Sequence, residues 1–171
     1  MNGKMRNLFV FNLFLIFLVI FTASHAFAAD ISADKIVIEK KARRLTLLSK
    51  GQPIRTYNVA LGRRPEGPKE KEGDNKTPEG IYVIDARNMK SGYHRALHIS
   101  YPGIKDINRA KELGVSPGGN IMIHGIKNGF GWVGGVHRWF DWTQGCIAVT
   151  NNEVDELWNL APIGTAVEIK P

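Results

Sequence analysis

The stretch that decides the fold runs from Ile121-Met-Ile-His124-Gly125, through a set of aromatic residues, to Thr143-Gln144-Gly145-Cys146. Cys146 is the only cysteine of the 171 residues, and His124 ends an apolar run typical of a buried strand. A thiol, an imidazole and a glycine turn can supply a nucleophile, a general base and backbone N–H groups that bind an oxyanion. The pattern predicts a cysteine acyltransferase site.

The thiol needs a neighbouring base, because a free cysteine with a pKa near 8.5 is only a few per cent thiolate at neutral pH. We predict that His124 is this base and that Gly125 lets the chain turn away from the imidazole. His137 lies in the glycine-rich stretch between the two motifs and is the alternative base, or a loop residue that reaches the site. A buried inert thiol and a core histidine are the structural alternatives.

The three residues before Cys146 have the composition of a tight turn. Gly145 suits a turn whose N–H groups converge on one point. We expect the Thr143 hydroxyl to brace the turn and the backbone N–H of Gln144 to help bind the oxyanion. Ordinary turn residues are the alternative for Thr143 and Gln144.

Five aromatic residues fill the segment between the histidine and the cysteine motifs. They predict either a lid over the acyl site or part of the core. The residues are Phe130, Trp132, Trp139, Phe140 and Trp142.

The first 28 residues have the pattern of a secretory signal peptide. Lys4 and Arg6 precede an apolar segment from Leu8 to Phe21, and Ala26-Phe27-Ala28 fits a small-x-small cleavage site. An uncleaved membrane anchor is the alternative, although the apolar run is shorter than a spanning helix requires. We therefore predict an exported protein of the periplasm or cell envelope, with one domain over residues 29–171.

The charge of the chain is basic, with a formal net charge of +7 at pH 7. An exported basic protein is drawn to anionic surfaces such as the cell wall. The basic residues are scattered rather than striped, so we predict no nucleic-acid partner. A membrane contact is expected only through the signal segment, if that segment is uncleaved.

Short runs of β-branched and aliphatic residues predict a mostly β fold, a sandwich or barrel with one or two short helices. A capping box at Thr150-Asn-Asn-Glu153 predicts the second helix, which Pro162 and Gly164 end. The charged residues 62–76 predict a solvated loop. The predicted strands cover residues 35–40, 44–48, 54–61, 81–84, 93–101 and 165–169, and the first predicted helix covers residues 106–113.

Three other motifs are set aside. Gly114-Val-Ser116-Pro-Gly118 matches a hydrolase nucleophile elbow, but Pro117 lacks the N–H that such a site requires. The glycines of residues 129–134 match a dinucleotide pattern outside any βαβ unit and predict a flexible loop. His94 and His98 would lie too far apart on one strand to bind one ion, so we predict no metal site.

The motifs that contain His124 and Cys146 resemble the catalytic domain of the L,D-transpeptidase (YkuD-type) family. The resemblance rests on Ile123-His124-Gly125 and on residues 141–151, Asp-Trp-Thr-Gln-Gly-Cys-Ile-Ala-Val-Thr-Asn. Residues 74–80 and 97–102 are also similar to recurring segments of the family. Many members carry Ser-His-Gly-Cys-Ile-Arg or -Asn. In this chain Gln144 replaces the His of that motif, and Ala148 replaces the Arg or Asn.

The resemblance implies acyl transfer on peptidoglycan stem peptides without a cofactor or a metal. Cys146 would attack the carbonyl at the L-centre of the third residue, release D-alanine and form a thioester that an amine resolves. His124 would act first as base and then as acid. The resemblance also implies capture by carbapenem-type inhibitors. An L,D-carboxypeptidase or a hydrolase of a wall-bound link, and a non-catalytic wall-binding module, are the alternatives.

Overall fold

A computed structural model describes residues 31–171, and the predicted signal peptide lies outside these residues. Within residues 31–171, eight strands and two α-helices follow one another. None of the helices in the described part of the chain has the length and apolarity needed to span a membrane. The elements are β1 (Lys35–Glu39), β2 (Arg44–Ser49), β3 (Gln52–Asn58), β4 (Gly80–Ser91), β5 (His94–Ile99), α1 (Ile104–Glu112), β6 (Met122–His124), β7 (Ile147–Ala148), α2 (Asn151–Leu160) and β8 (Ala166–Lys170), with a 3₁₀ segment at Gly131–Trp139.

The strands form one mixed sheet in the order β3-β2-β1-β8-β4-β5-β6-β7. The β1–β8 and β6–β7 pairs are parallel, and the other neighbours are antiparallel. Ala60, just after β3, forms an antiparallel bridge with Ala148 of β7. Because β3 and β7 end the strand order, this bridge brings the two ends of the sheet together. The mostly β expectation is confirmed.

The core follows from the period-two pattern of the strands. In β1 and β2 every second residue is apolar, and Ile36, Ile38, Leu45 and Leu47 are completely buried. Burial of each such side chain contributes roughly 1.5–3 kcal/mol. The intervening residues are partly buried or exposed on the other face, and this difference between the two faces fixes the register of the hairpin.

Helix α2 packs its apolar side chains into the core. Its first turn has the predicted capping box, in which the Thr150 hydroxyl accepts from the Glu153 N–H and the Glu153 carboxylate accepts from the Thr150 N–H. Val154 and Leu157 are fully buried at helical spacing. The helix therefore begins and ends where its sequence signals predict, within one or two residues.

Two segments differ from the expectation. Strand β4 extends to Ser91, because residues after Ile84 pair with β5, for example Arg87 with Leu97, although their side chains are mostly polar. Residues 131–139 form 3₁₀ turns rather than a flexible loop. The helical backbone is interrupted at Gly134, whose φ of 53° favours glycine. The Arg138 side chain donates hydrogen bonds to the Glu153 carboxylate and the Asn58 carbonyl, which hold the segment in place.

Candidate active site

The turn before Cys146 is held by one buried hydroxyl. The Thr143 side chain is 4% exposed, and its Oγ1 accepts the Gly145 N–H at 3.1 Å and donates to the Cys146 carbonyl at 2.7 Å. The Thr143 backbone pairs with Leu61 and Arg63 of the neighbouring segment. The hydroxyl thus ties both sides of the turn, and the segment beside it fixes the turn to the sheet.

Gly145 is required by both its backbone angle and its surroundings. Its φ is 131°, and a Cβ at this position would lie 2.7 Å from the Lys76 carbonyl oxygen and 3.1 Å from Ile121 Cδ1. Gly62 packs on the same turn, since a Cβ there would lie 3.1 Å from Gly145 Cα. The close approach of these backbones leaves no room for a side chain.

Two backbone N–H groups of the turn remain free to bind a ligand. The Gly145 N–H is used by Thr143, so it cannot contribute to an oxyanion site. The N–H groups of Gln144 and Cys146 have no hydrogen-bond acceptor within residues 31–171. Together these two groups are suited to bind the oxyanion of an acyl intermediate.

His124 lies at the end of β6, between two alanines. Ala96 of β5 and Ala148 of β7 are its neighbours in register, and both are buried. Their small side chains leave space for the imidazole, which packs against the rings of Tyr93 and Trp142 at centroid distances of 4.6 and 5.8 Å. The ring is therefore held by strand pairing and by aromatic contacts.

The hydrogen bond of His124 defines its tautomer. Nδ1 lies 2.7 Å from the Gly125 carbonyl oxygen, which can only accept, so Nδ1 carries the proton of the neutral ring. Nε2 is then the basic nitrogen. Gly125 is needed for a reason other than the predicted turn: a Cβ there would lie 2.7 Å from Asn151 Oδ1 and 3.1 Å from the Tyr93 carbonyl.

Burial acts on both members of the pair. It lowers the pKa of His124, and the bond to Gly125 opposes this effect only in part. Burial also raises the pKa of the Cys146 thiol, against the Met122 backbone N–H that donates toward the sulfur and the positive charge of Lys69. The thiol donates to the Asn120 carbonyl at 3.6 Å. The resting pair is therefore a neutral thiol and a neutral imidazole.

His137 packs against the ring of Trp142 and does not line either cavity that contains Cys146. It is 6% exposed, and its Nδ1 accepts from Trp142 Nε1 at 3.4 Å. Burial lowers the pKa of His137 to about 4, with a smaller effect from the charge of Arg138. His137 supports the ring that packs on His124, and its position does not suit it to act as the base.

Cys146 lines two cavities. The larger, of about 510 Å³, is lined by His124 and the turn, and the smaller, of about 240 Å³, is lined by Cys146 but not by His124. Asn120, Gln144 and Cys146 line both. The other residues of the larger cavity are Arg63, Asn88, Ser91, Gly92, Tyr93, Met122, Trp142 and Thr143, and those of the smaller one are Lys69, Glu72, Gly73, Gly118, Gly119 and Ile121.

The prediction of a solvated loop at residues 62–76 is wrong for its charged centre. Lys69 and Asp74 form an ion pair at 2.7 Å, with side chains 3% and 8% exposed. The Asp74 carboxylate also accepts the N–H groups of Glu70, Lys71 and Lys76. These bonds compensate the cost of burying charge and fold the loop against the site.

The aromatic segment is not part of the core. Phe130, Trp132, Trp139 and Phe140 are 50–81% exposed, which overturns the core alternative for them. Only Trp142 of the five contacts the cavity, where it packs on His124.

The remaining motifs have structural partners. Ser116, of the rejected elbow motif, donates its hydroxyl to Glu72 at 3.2 Å. His94 and His98 contact Asp155 and Asp85. Sequence patterns did not single out Tyr93, Asn120, Arg63, Lys69 or Glu72, because loops and strand pairing distant in sequence bring them to Cys146.

Comparison with known proteins gives a consistent picture. The YkuD family model, described as the L,D-transpeptidase catalytic domain, matches residues 33–169. The chain is 30% identical over 129 residues to the Escherichia coli K12 protein named "Putative L,D-transpeptidase YafK", covering 72% of this chain and 45% of the relative. The chain thus spans less than half the length of this relative.

Two solved structures share the fold. Bdellovibrio bacteriovorus Bd1075 is 26% identical with a TM-score of 0.57, over 81% of this chain and 48% of that protein. The helical cell shape determining protein Pgp2 from Campylobacter jejuni is 24% identical with a TM-score of 0.61, over 84% of this chain and 52% of that protein. Both are about twice as long as the aligned region.

Proposed function

Because the chain belongs to the L,D-transpeptidase (YkuD-type) catalytic domain family, we propose that it is a peptidoglycan L,D-transpeptidase that works through a thioester on Cys146. The substrate is a stem peptide, cleaved after the L-centre of its third residue with release of D-alanine. The observation that carries this proposal is the shared cavity of Cys146 and His124, with the Gln144 and Cys146 N–H groups free beside the thiol.

In the first half-reaction the sulfur attacks the carbonyl carbon of the third residue. His124 Nε2 takes the thiol proton as the C–S bond forms, and the negative oxygen is bound by the two free N–H groups. His124 then gives this proton to the leaving nitrogen as the C–N bond breaks. The neutral resting pair fits this order, since the proton transfer accompanies attack.

In the second half-reaction an amine of a neighbouring stem attacks the thioester carbonyl. His124 accepts the proton of the attacking nitrogen, the C–S bond breaks, and the sulfur recovers the proton. Every proton moves between Cys146, His124 and the substrate amines, so the proposed reaction requires no cofactor or metal. The enzyme is regenerated after one acyl transfer.

The location of the substrate agrees with the proposed export of the chain. Family members named L,D-transpeptidases act on the cell wall, and the first 28 residues have the pattern of a signal peptide. We therefore assign the protein to the periplasm or cell envelope.

A hydrolase with the same site is the second candidate. If water resolves the thioester, the products are those of an L,D-carboxypeptidase or of cleavage of a wall-bound link. The cavity of about 510 Å³ has room for water as well as for a stem peptide, so water can reach the thioester. A non-catalytic wall-binding module is disfavoured, because it has no need for a thiol and a buried base in one cavity.

The proposal is tested by incubating the protein without residues 1–28 with disaccharide tetrapeptide and identifying the products by mass. Release of D-alanine with a cross-linked dimer supports transpeptidation, and release with a tripeptide alone supports the hydrolase. The Cys146→Ala variant is the control and should form neither product. Activity of this variant would refute the thioester route.

A further inference from the structure

Four large aromatic side chains are exposed in the 3₁₀ segment and its flanks. Single exposed apolar residues are normal on a soluble protein, but several on one segment are typical of a binding surface. The most exposed are two tryptophans, Trp132 at 81% and Trp139 at 80%. Phe130 and Phe140, on either side of them in sequence, are 50% and 65% exposed. Residues 130–140 therefore present four aromatic rings to solvent.

The backbone that carries these rings is anchored. The Arg138 side chain donates to the Glu153 carboxylate and to the Asn58 carbonyl, in each case at 3.2 Å. His137 is buried, and its ring packs edge-on against Trp142 at a centroid distance of 6.3 Å. Because the segment is already held in place, less conformational entropy is lost when a ligand binds to its exposed rings.

Both ends of the segment adjoin the larger cavity. At its start Gly131 packs on Asn151, since a Cβ on Gly131 would lie 2.7 Å from Asn151 Nδ2. The Oδ1 atom of the same side chain would lie 2.7 Å from a Cβ on Gly125, the residue after His124. Just after the segment, Trp142 lines the cavity and packs on the His124 ring. The exposed rings are therefore continuous with the site where the stem peptide reacts in the proposed function.

Residues 130–140 carry no unpaired charge. Their one ionised side chain at neutral pH is Arg138, which pairs with Glu153. His137 is neutral at this pH, because burial lowers its pKa to about 4. Lys127, before the segment, is exposed, but a surface that binds anionic lipid normally combines its aromatic rings with a cluster of lysines or arginines. The rings instead match an uncharged ligand that has apolar faces.

We propose that residues 130–140 form a glycan-binding platform, on which the exposed rings stack against the sugars that carry the stem peptide. The choice of ligand rests on the proposed function. The sugars of peptidoglycan are N-acetylated, and the lactyl carboxyl group is used in the bond to the peptide, so the repeating unit is uncharged. The C–H groups on one face of a sugar ring are weakly positive and match the negative face of an aromatic ring.

The test compares donors with and without sugars. The donors are disaccharide tetrapeptide and free tetrapeptide, and the release of D-alanine from each is measured by mass. Loss of two ring contacts in the double variant Trp132→Ser, Trp139→Ser predicts a KM for disaccharide tetrapeptide roughly ten- to a hundredfold higher. The KM for free tetrapeptide, and kcat on both donors, should stay unchanged.

Two further double variants serve as controls. Ile81→Thr, Ile104→Ser removes two apolar side chains that are 80% and 79% exposed and line neither cavity, so both KM values should stay unchanged. Trp132→Phe, Trp139→Phe retains aromatic rings at both positions and should keep most of the preference for the disaccharide. The Tm of each variant checks folding.

A second measurement requires no turnover. Chitohexaose, an uncharged chain of N-acetylglucosamine without a peptide, is the probe, and saturation-transfer NMR detects its binding. The wild type and the phenylalanine variant should bind it, and the serine variant should not.

The outcomes separate the platform from the proposed function. An equal rise in KM for both donors, or no rise for either, overturns the platform while transpeptidation stands. Binding of the wild type to phosphatidylglycerol vesicles, lost in the serine variant and without binding of chitohexaose, overturns it in favour of a membrane contact. If the wild type releases no D-alanine from either donor, the proposed function fails. Chitohexaose bound through the rings in that sample would still support the platform, and no binding would overturn it.

Discussion

Replacement of Thr143 by valine tests whether one hydroxyl holds the catalytic turn. Valine has nearly the same volume, so the change removes the hydroxyl without opening a cavity. The Gly145 N–H and the Cys146 carbonyl would lose their partner in a site that is 4% exposed. Each unsatisfied buried group costs about 1–3 kcal/mol, so we expect the two groups to lower the free energy of unfolding by about 2–6 kcal/mol.

For a domain of this size the Tm falls by about 4 °C per kcal/mol, so this loss lowers Tm by roughly 8–24 °C. Urea denaturation measures the free energy, and the rate of thioester formation measures the state of the turn. Thr143→Ser retains the hydroxyl and should lose only the contribution of one methyl group, about 1 kcal/mol. A Thr143→Val variant within about 0.5 kcal/mol of wild type, with unchanged acylation, would refute this account of the turn.

Three further predictions concern the glycine of the turn and the two histidines. Gly145→Ala should cost at least about 2 kcal/mol and most of the activity, because the added Cβ would meet the Lys76 carbonyl; retained Tm and turnover would contradict the packing argument. His124→Ala should reduce turnover by orders of magnitude, because the neutral thiol then has no base to take its proton, with a smaller effect for His137→Ala; a larger loss of turnover in the His137 variant would mean that the base is assigned to the wrong histidine. Because the pKa of His137 is about 4 in the folded protein and near 6.5 when unfolded, only the unfolded state binds its proton between these values. Stability should therefore fall by about 3 kcal/mol as pH is lowered from 6.5 to 4, and His137→Asn should flatten this slope in urea titrations; an unchanged slope would place the titration elsewhere.

The sequence was most informative where local chemistry decides the structure. The capping box at Thr150 predicted the start of α2, and runs of β-branched and aliphatic residues predicted β1 and β2. The apolar run before His124 predicted that this residue ends a buried strand. In the structure this strand, β6, pairs with β7, which begins directly after Cys146, and both His124 and Cys146 line one cavity.

The sequence was least informative where distant segments meet. The second half of β4 is polar, and only its pairing with β5 makes it a strand. The sequence predicted that Lys69 and Asp74 are solvated, because a buried ion pair produces no periodic pattern in the sequence. Tyr93 reaches His124 only through the β4–β5 hairpin. Such contacts depend on the tertiary fold, which a local pattern does not encode.

The central claim is that Cys146 is an acylated nucleophile, and carbapenem capture tests it most directly. The strained lactam carbonyl can accept the thiolate without the natural substrate, and the reaction needs the nucleophile, the base and the oxyanion site together. Intact-mass spectrometry after incubation with meropenem should show one stoichiometric adduct, located on the peptide that contains Cys146 and absent in Cys146→Ala. A folded wild-type protein that forms no adduct, while its thiol still reacts with iodoacetamide, would contradict the account.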